Sequence, residues 1–337
     1  MRDNRHGGDA FRYGKGITDF SANINPLGAP DEVIRAFREA DVSVYPDPYS
    51  ESLRNAIADM TGADADDIIC GSGAASLIFT LTACLKPKKT LIAAPSFSEY
   101  GRAAECMGSE IIYYNEREGA SGMLSDDTDL LFICVPNNPT GTLKERNELE
   151  EIIASAARLG IFVVVDECFN DFLDEPERYS VSDMIGEYRN LAILRSFTKM
   201  YAIPGLRLGY MLCSDRAVLS GMYSSRQPWE ISAPAEAAGI AACGAREHVK
   251  KTREYIKAER EFLKSEFKRL GIEHYEPTAN FMFFKHRAGL REELLKYGIL
   301  IRSCANYRDL DERSYRTAVR LHEENMMLIK ALEEIDG

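Results

Sequence analysis

A lysine flanked by phosphate-binding side chains is the first place where this chain could do chemistry. Lys199 follows the apolar run 191–194, which predicts a buried strand, and Ser196 and Thr198 stand just before it. Hydroxyl groups donate hydrogen bonds to phosphate oxygens, and Arg207 further along adds a permanent positive charge. A deprotonated lysine amine attacks carbonyl carbons. An ordinary solvated lysine is the alternative, and this stretch alone leaves both interpretations open.

Two other predicted strands also end at polar side chains. The apolar run 161–165 ends at Asp166, and the run 131–135 leads into a loop of Pro, Asn and Gly that contains Asn138. Ligands of open α/β sheets collect at the carboxyl ends of strands, and a carboxylate there can keep the ring nitrogen of a pyridoxal cofactor protonated. Such a loop is often only a turn. Three strand ends that carry Asn138, Asp166 and Lys199 in this order are more specific than any one of them.

With these motifs the chain resembles the fold-type I pyridoxal phosphate (PLP) enzymes over nearly its whole length. The branch concerned contains histidinol-phosphate aminotransferase and threonine-phosphate decarboxylase. The resemblance implies the α/β aspartate aminotransferase fold, with a mainly parallel central sheet in a large domain and a smaller α/β C-terminal domain. It also implies that Lys199 forms a Schiff base with PLP and that Asp166 pairs with the pyridine nitrogen. Asn138 would hydrogen-bond the phenolic oxygen of the cofactor and face the substrate.

Further cofactor contacts follow from the same resemblance. The backbone amides of Ala74 and Ala75 would bind the PLP phosphate, because the first turn of a helix leaves N–H groups free; close helix packing explains the glycines before them equally well. Phe97 would lie flat on the pyridine ring, with core packing as the alternative. Tyr45 would reach the cofactor phosphate of the other subunit in a homodimer, although a partly buried loop tyrosine fits the sequence as well.

The N-terminal segments that match the threonine-phosphate decarboxylases are His-Gly-Gly and Asp-Phe-Ser-Ala-Asn-Ile-Asn-Pro-Leu-Gly. In those enzymes both segments contact the substrate, which predicts His6, Gly7 and Asn23 as substrate-binding residues. By the same resemblance Arg316 would hold the substrate carboxylate, and Arg302 would hold the substrate phosphate together with His6 and Asn23. Arginine is suited to bidentate capture of either group. Without the resemblance, both arginines would be assigned to surface salt bridges.

The predicted function is PLP-dependent decarboxylation of an O-phospho amino acid, with O-phospho-L-threonine preferred. The product would be aminopropanol phosphate, which the family feeds into cobalamin side-chain synthesis. Transamination of histidinol phosphate or a similar phosphorylated amine is the first alternative, and a non-catalytic binding protein with the PLP fold is the second. Phe169 stands where many aminotransferases of this branch carry a tyrosine, which favours the decarboxylase.

Composition is that of a soluble globular protein and narrows the possible partners. Of 337 residues, 45% are apolar and 28% are charged, and the formal charge of −12 argues against nucleic acid. The first residues lack the apolar core of a signal peptide, and no apolar run is long enough to span a membrane. Eight scattered cysteines without zinc-site spacing predict no metal and fit a reducing cytoplasm. We therefore expect a cytoplasmic enzyme for a small phosphorylated amino acid, assembled as a homodimer.

The elements that must position these residues alternate between strands and helices, which predicts a parallel sheet covered on both faces. Residues 41–240 would form the large PLP-binding domain. Residues 1–40 would form an arm that contributes to the substrate site and joins residues 245–337 in the small domain. Ser50 is expected to cap a helix at 51–60. A helix at 245–270 is expected to keep its charged side chains on a solvated face. Further strands are predicted at 68–70, 91–94, 111–114, 208–213, 281–284 and 299–301.

Overall fold

The structure is a computed structural model, and it describes residues 6–337. The strands are β1 (Thr18–Asp19), β2 (Ile68–Gly71), β3 (Lys89–Ala94), β4 (Glu110–Asn115), β5 (Leu130–Cys134), β6 (Phe162–Asp166), β7 (Leu191–Ser196), β8 (Gly209–Cys213), β9 (Phe281–Lys285), β10 (Ile299–Leu300), β11 (Arg302–Ser303) and β12 (Ser314–Ala318). The helices are α1 (Asp31–Glu39), α2 (Glu51–Thr61), α3 (Ala74–Leu85), α4 (Ser98–Cys106), α5 (Arg146–Leu159), α6 (Pro176–Tyr179), α7 (Phe197–Met200), α8 (Arg216–Ser225), α9 (Ala233–Gly244), α10 (Arg246–Arg269), α11 (Leu290–Leu295) and α12 (His322–Asp336).

Seven strands form the large central sheet in the order β2-β8-β7-β6-β5-β3-β4. The pairs from β7 through β6, β5 and β3 to β4 are parallel, and only β8 runs against its neighbours. Strands β5, β6 and β8 are buried along their whole length, because helices cover both faces of the sheet. The predicted mainly parallel sheet is confirmed.

Strand β6 shows how each face of this sheet reaches a different core. Val163 and Val165 pack into one apolar cluster, whereas Phe162 and Val164 pack into the cluster on the other face. Successive side chains of a strand point to opposite faces, so a strand with a core on both sides must be apolar at every position. The uninterrupted run of apolar residues before Asp166 is therefore the signature of a central strand.

Two smaller sheets involve the C-terminal part of the chain. One has the order β11-β12-β9 and is antiparallel, and the other pairs β1 with β10 in parallel, Thr18 opposite Ile299. The predicted strand at 299–301 is therefore split at Ile301 between the two sheets. Its first half binds the N-terminal arm through the β1–β10 pairing. The domain boundaries near residues 40 and 240–245 stay predictions.

The prediction that Ser50 caps α2 is wrong. Ser50 has a left-handed backbone with φ 48 and its side chain accepts no hydrogen bond from the helix, whereas residues that cap with a side-chain oxygen have extended backbones. The Asp47 carboxylate takes this role instead. It accepts hydrogen bonds from the backbone N–H groups of Tyr49 at 2.9 Å and Glu51 at 2.7 Å.

The prediction of a solvated charged face on α10 is wrong for Glu259 and Arg260, which are buried. Arg260 donates to the Asp174 carboxylate at 2.7 Å, and Glu259 accepts from the Asn325 amide at 2.8 Å. Buried charges are tolerated where they are paired in this way. Within residues 6–337, none of the helices combines the length and the apolar character needed to cross a membrane.

Candidate active site

A cavity of about 280 Å³ lies at the carboxyl ends of β5, β6 and β7. These strands lead directly to Asn138, Asp166 and Lys199, and all three side chains line the cavity, as expected for an open α/β sheet. Of the predicted site residues only Tyr45 lies outside it. The others that line it are His6, Gly7, Asn23, Ala74, Ala75, Phe97, Ser196, Thr198, Arg207, Arg302 and Arg316.

Lys199 lies on the short helix α7, which begins directly where β7 ends. The Ser196 hydroxyl accepts a hydrogen bond from the Thr198 backbone N–H at 3.3 Å, and the two hydroxyls lie 2.7 Å apart. The Lys199 amine lies 4.9 Å from the centre of the Phe169 ring. Among residues 6–337, no carboxylate lies within ion-pair distance of this amine. The amine is therefore available to a ligand.

The loop around Lys199 is fixed by an asparagine of the N-terminal arm. The backbone N–H of Asn25 donates to the carbonyl of Lys199 at 3.0 Å. The Asn25 side-chain amide donates to the carbonyl of Met200 at 2.7 Å and to the Thr252 hydroxyl on α10 at 2.8 Å. The arm, the lysine helix and α10 thus form one hydrogen-bonded unit.

Asp166 is buried and held by two donors. Its carboxylate accepts from the Tyr100 hydroxyl at 2.6 Å and from the backbone N–H of Cys168 at 2.9 Å. Burial, and then the negative charge of Asp166, raise the pKa of Tyr100 well above its ordinary value, so the phenol stays a neutral donor. Sequence reasoning missed Tyr100, because a helical tyrosine is usually assigned to the core, and its ring does stack on Phe132 at 4.8 Å.

Donors suited to a phosphate group gather where α3 begins. Gly73 precedes the helix with φ +84, and no side chain caps the helix there, so the first N–H groups, those of Ala74 and Ala75, are the free donors of that turn. The guanidinium of Arg207 lies against the same turn, since a Cβ atom on Gly73 would stand only 2.7 Å from its Nη2. The guanidinium of Arg207 and the main-chain N–H groups of Ala74 and Ala75 therefore lie together at the start of α3.

Arg302 and Arg316 face each other across the β11–β12 pair and line the opposite side of the cavity. Both are buried, so neither is a surface salt bridge. Arg316 donates to the Asn138 side-chain oxygen and to the Ser21 carbonyl, the latter at 2.8 Å, and burial lowers the pKa of Arg316. Arg302 donates to the Asn306 side-chain oxygen at 2.7 Å.

The N-terminal arm closes the cavity at the end where the two arginines lie. Gly7 sits so close to the main chain of Ser21 that a Cβ atom would stand 2.1 Å from the Ser21 carbonyl oxygen. The next residue, Gly8, donates its N–H to the Ser21 hydroxyl at 2.8 Å. Asn23 lines the cavity with both side-chain polar atoms buried and without a partner among the described residues. Sequence reasoning missed Ser21, because its contact with Arg316 uses the main-chain carbonyl oxygen, which no residue type reveals.

Tyr45 is 79% exposed and stacks on Trp229, with ring centroids 4.6 Å apart. Its placement outside the cavity is compatible with a contact to a second subunit, because a single chain leaves the ring uncovered. The role of Tyr45 across a dimer interface stays a prediction.

The residues of the cavity fit PLP. That cofactor has an aldehyde carbon, a ring nitrogen and a phosphate on different sides of its ring. Lys199 offers an amine for the aldehyde carbon, and Asp166 offers a buried carboxylate for the ring nitrogen. Arg207 and the start of α3 offer donors for the phosphate. The side-chain amide of Asn23 lines the same cavity without a partner among the described residues and is placed to bind a ligand, because buried polar groups are normally hydrogen-bonded.

Comparison with known proteins agrees with this geometry. Residues 15–332 match the model of the family described as aminotransferase class I and II. The threonine-phosphate decarboxylase of Salmonella typhimurium is 37% identical over 95% of this chain and 91% of its own length. The histidinol-phosphate aminotransferase of Symbiobacterium thermophilum is 31% identical over 95% of this chain and 91% of its own length. The crystal structure of the histidinol-phosphate aminotransferase from Clostridium acetobutylicum superposes with a TM-score of 0.87 at 29% identity, covering 94% of this chain and 98% of that one. The chain therefore belongs to the class I and II aminotransferase family, whose enzymes use pyridoxal phosphate, and it has the aspartate aminotransferase fold.

Proposed function

We propose that this chain decarboxylates an O-phospho amino acid, with O-phospho-L-threonine as substrate and aminopropanol phosphate as product, for cobalamin side-chain synthesis. The observation that carries the proposal is the pair of buried arginines, Arg302 and Arg316, that face the cavity containing Lys199. Guanidinium groups are suited to bidentate binding of carboxylates and phosphates, and a phospho amino acid brings both groups. The 37% identity to a threonine-phosphate decarboxylase supports this choice of substrate.

The residues that would hold PLP divide its polar groups among them. Lys199 would hold the aldehyde carbon, Asp166 the ring nitrogen, and Asn138 the phenolic oxygen, with Phe97 against the ring. The phosphate would be held by Ser196, Thr198, Arg207 and the amides of Ala74 and Ala75. When bound, PLP supplies an electron sink for the pair left on Cα after a bond breaks. The Tyr100 hydroxyl and the Cys168 backbone N–H fix the direction of the Asp166 side chain, and a carboxylate placed there can hold a proton on the ring nitrogen.

The reaction depends on which bond at Cα lies perpendicular to the ring, because only that bond overlaps the π system. Arg316 would bind the carboxylate, and its existing bonds to Asn138 and Ser21 fix the direction of its guanidinium. Arg302, His6 and Asn23 would bind the phosphate at the other end. A substrate held at both ends would keep one orientation about Cα, and decarboxylation requires that this orientation place the bond to the carboxylate perpendicular to the ring.

Transamination of histidinol phosphate is the second candidate, favoured by the 31% identity to such an enzyme. It would use the same cofactor residues. Phe169 argues against it, because this side chain lines the cavity beside the Lys199 amine and has no hydroxyl to donate. Many aminotransferases of this branch have a tyrosine there, so the decarboxylase remains the stronger proposal.

The deciding experiment incubates the purified PLP-loaded protein with O-phospho-L-threonine and measures CO2 and keto acid separately. We expect CO2 in amounts equal to substrate consumed. Replacing Arg316 with Lys keeps the charge but removes the bidentate geometry, and it should lower kcat/KM by about 100-fold. The matched control is Arg320→Lys, which alters an arginine that pairs with Glu324 outside the cavity. Keto acid released without CO2 would reject the decarboxylase.

We also propose a homodimer in which Tyr45 reaches the cofactor phosphate of the partner subunit. The exposure of Tyr45 and its stacking on Trp229 support this, because an exposed aromatic pair next to a phosphate site is suited to an interface. Light scattering should give twice the mass of the chain, and Tyr45→Phe should weaken PLP binding without changing that mass. A monomeric, fully active enzyme would contradict the proposal.

A further inference from the structure

A buried carboxylate joins the substrate arm to the cofactor side of the cavity. Glu99 lies in the first turn of α4 and is only 6% exposed. One of its oxygens accepts from the Nε2 atom of His6 at 2.8 Å, and the carboxylate also accepts from Arg102 at 2.8 and 3.0 Å. Nε2 of His6 therefore carries a proton and is committed to Glu99. Glu99 itself does not line the cavity, whereas His6 does.

The glutamate remains charged in this environment. Burial raises the pKa of Glu99, but the hydrogen bonds from His6 and Arg102 outweigh burial, so that the pKa lies below its ordinary value. A carboxylate in the first turn of a helix is favoured further by the helix dipole. His6 and Arg102 thus both donate to the buried carboxylate of Glu99, which fixes the direction of both side chains.

The arm around His6 leaves the ring little freedom. Ser21 holds the backbone after His6 through the close approach to Gly7 and the hydrogen bond to Gly8. Glu99 holds the ring, whose centre lies 5.9 Å from the ring of Phe97. His6 is thus held at two points that belong to different parts of the fold.

We infer that Glu99 is a positioning residue that sets His6 against the phosphate end of the substrate; this inference deepens the proposed function and rests on it. The start of α4 carries three contacts of the site within one turn. Phe97 is assigned to the cofactor ring, Tyr100 donates to Asp166, and Glu99 holds the substrate arm. This turn therefore links the cofactor side of the cavity to the arm residue that would bind the substrate phosphate.

A double-mutant cycle tests the inference. Glu99→Gln keeps the shape of the side chain but removes its charge, and it should raise KM for O-phospho-L-threonine about tenfold, the lower range for a charge-assisted hydrogen bond because His6 is partly exposed. The kcat value and the absorption of bound PLP should stay the same. In a His6→Gln background the same change should have no further effect, because Glu99 acts through His6. Arg102→Gln is the matched control, since it removes the other partner of Glu99 and leaves the His6 contact.

Binding of inorganic phosphate to the PLP-loaded protein, measured by calorimetry, gives a readout that needs no turnover. We expect Glu99→Gln to weaken phosphate binding by the same factor of about ten when the change is made in the wild-type protein. Made in the His6→Gln protein, it should not weaken phosphate binding further. Equal losses in both backgrounds, or no loss in wild type, would overturn the inference. Failure of the proposed function is seen separately, as absence of CO2 from wild type. If wild type transaminates histidinol phosphate instead, the cycle is run with that substrate, which also carries a phosphate.

Discussion

Replacing Gly73 with Ala should separate the phosphate anchor from the rest of the fold. Gly73 has φ 84 and ψ 161, a backbone region that is essentially restricted to glycine and costs other residues about 1–3 kcal/mol. The new Cβ would stand 2.7 Å from Nη2 of Arg207, whereas ordinary contact begins at 3.4 Å. The guanidinium must therefore move by the difference, about 0.7 Å, which takes it out of hydrogen-bonding geometry with the phosphate.

The expected loss of PLP affinity follows from that displacement. A hydrogen bond to a charged group contributes about 1.5–3 kcal/mol, and Arg207 is exposed in the single chain, so the lower value applies and the dissociation constant for PLP should rise about tenfold. The assay titrates the apoprotein with PLP and follows the visible absorption of the bound cofactor. A urea titration of the apoprotein measures the backbone strain independently.

Gly62→Ala is the matched control, because Gly62 also has a positive φ, 79°, but nothing lies within 4 Å of its Cβ position. It should lower the free energy of unfolding by about 1 kcal/mol and leave PLP affinity unchanged. If Gly73→Ala binds PLP as tightly as wild type, the placement of Arg207 on the cofactor phosphate is wrong. If both variants lose affinity equally, the effect is general destabilisation rather than a displaced anchor.

Two further predictions concern polar contacts made by the buried side chains of Tyr100 and Arg260. Tyr100→Phe keeps the ring but removes the donor to Asp166, so the free energy of unfolding in urea should fall by about 1–2 kcal/mol; unchanged stability would show that this hydrogen bond contributes nothing. Burial raises the pKa of Asp174, but Arg260 and Lys257 outweigh it, and the folded pKa lies below the ordinary 3.8. The stability that the Asp174 carboxylate gains from Arg260 and Lys257 is thus present above pH 3.8 and lost as the pH falls through the folded pKa. Asp174→Asn should therefore have a lower free energy of unfolding than wild type at pH 7, and the difference should shrink in acid.

The sheet and the cofactor residues could be predicted because they depend on local signals. An uninterrupted apolar run such as the one before Asp166 specifies a strand that is buried on both faces, and parallel strands bring their carboxyl ends to one edge. Once the three strands were identified, Asn138, Asp166 and Lys199 were therefore expected to lie together at one edge of the sheet. The substrate residues needed the family resemblance, because an arginine after an apolar strand reads the same on a surface as in a cavity.

What the sequence could not predict depends on contacts between distant parts of the chain. Glu99 and Tyr100 have ordinary neighbours in sequence, and their roles arise only because their side chains reach His6 in the arm and Asp166 at the end of β6. Ser21 acts through its carbonyl oxygen, which every residue has. Ser50 looked like a helix cap by residue type, but the Asp47 carboxylate accepts from the first N–H group of the helix, that of Glu51, and a carboxylate is the stronger acceptor.

The hydrogen bonds of Asn25 divide the N-terminal arm into two stretches under different evolutionary constraint. His6, Gly7 and Asn23 line the cavity ahead of Asn25, and exchanges there can change which amine is accepted while Asn25 keeps the lysine in place. Asn25 itself is bonded to the main chain at Lys199 and Met200, and its loss would disturb every reaction of the cofactor alike. New substrate preferences are therefore expected to arise by exchanges at these cavity-lining positions of the arm, upstream of a fixed asparagine.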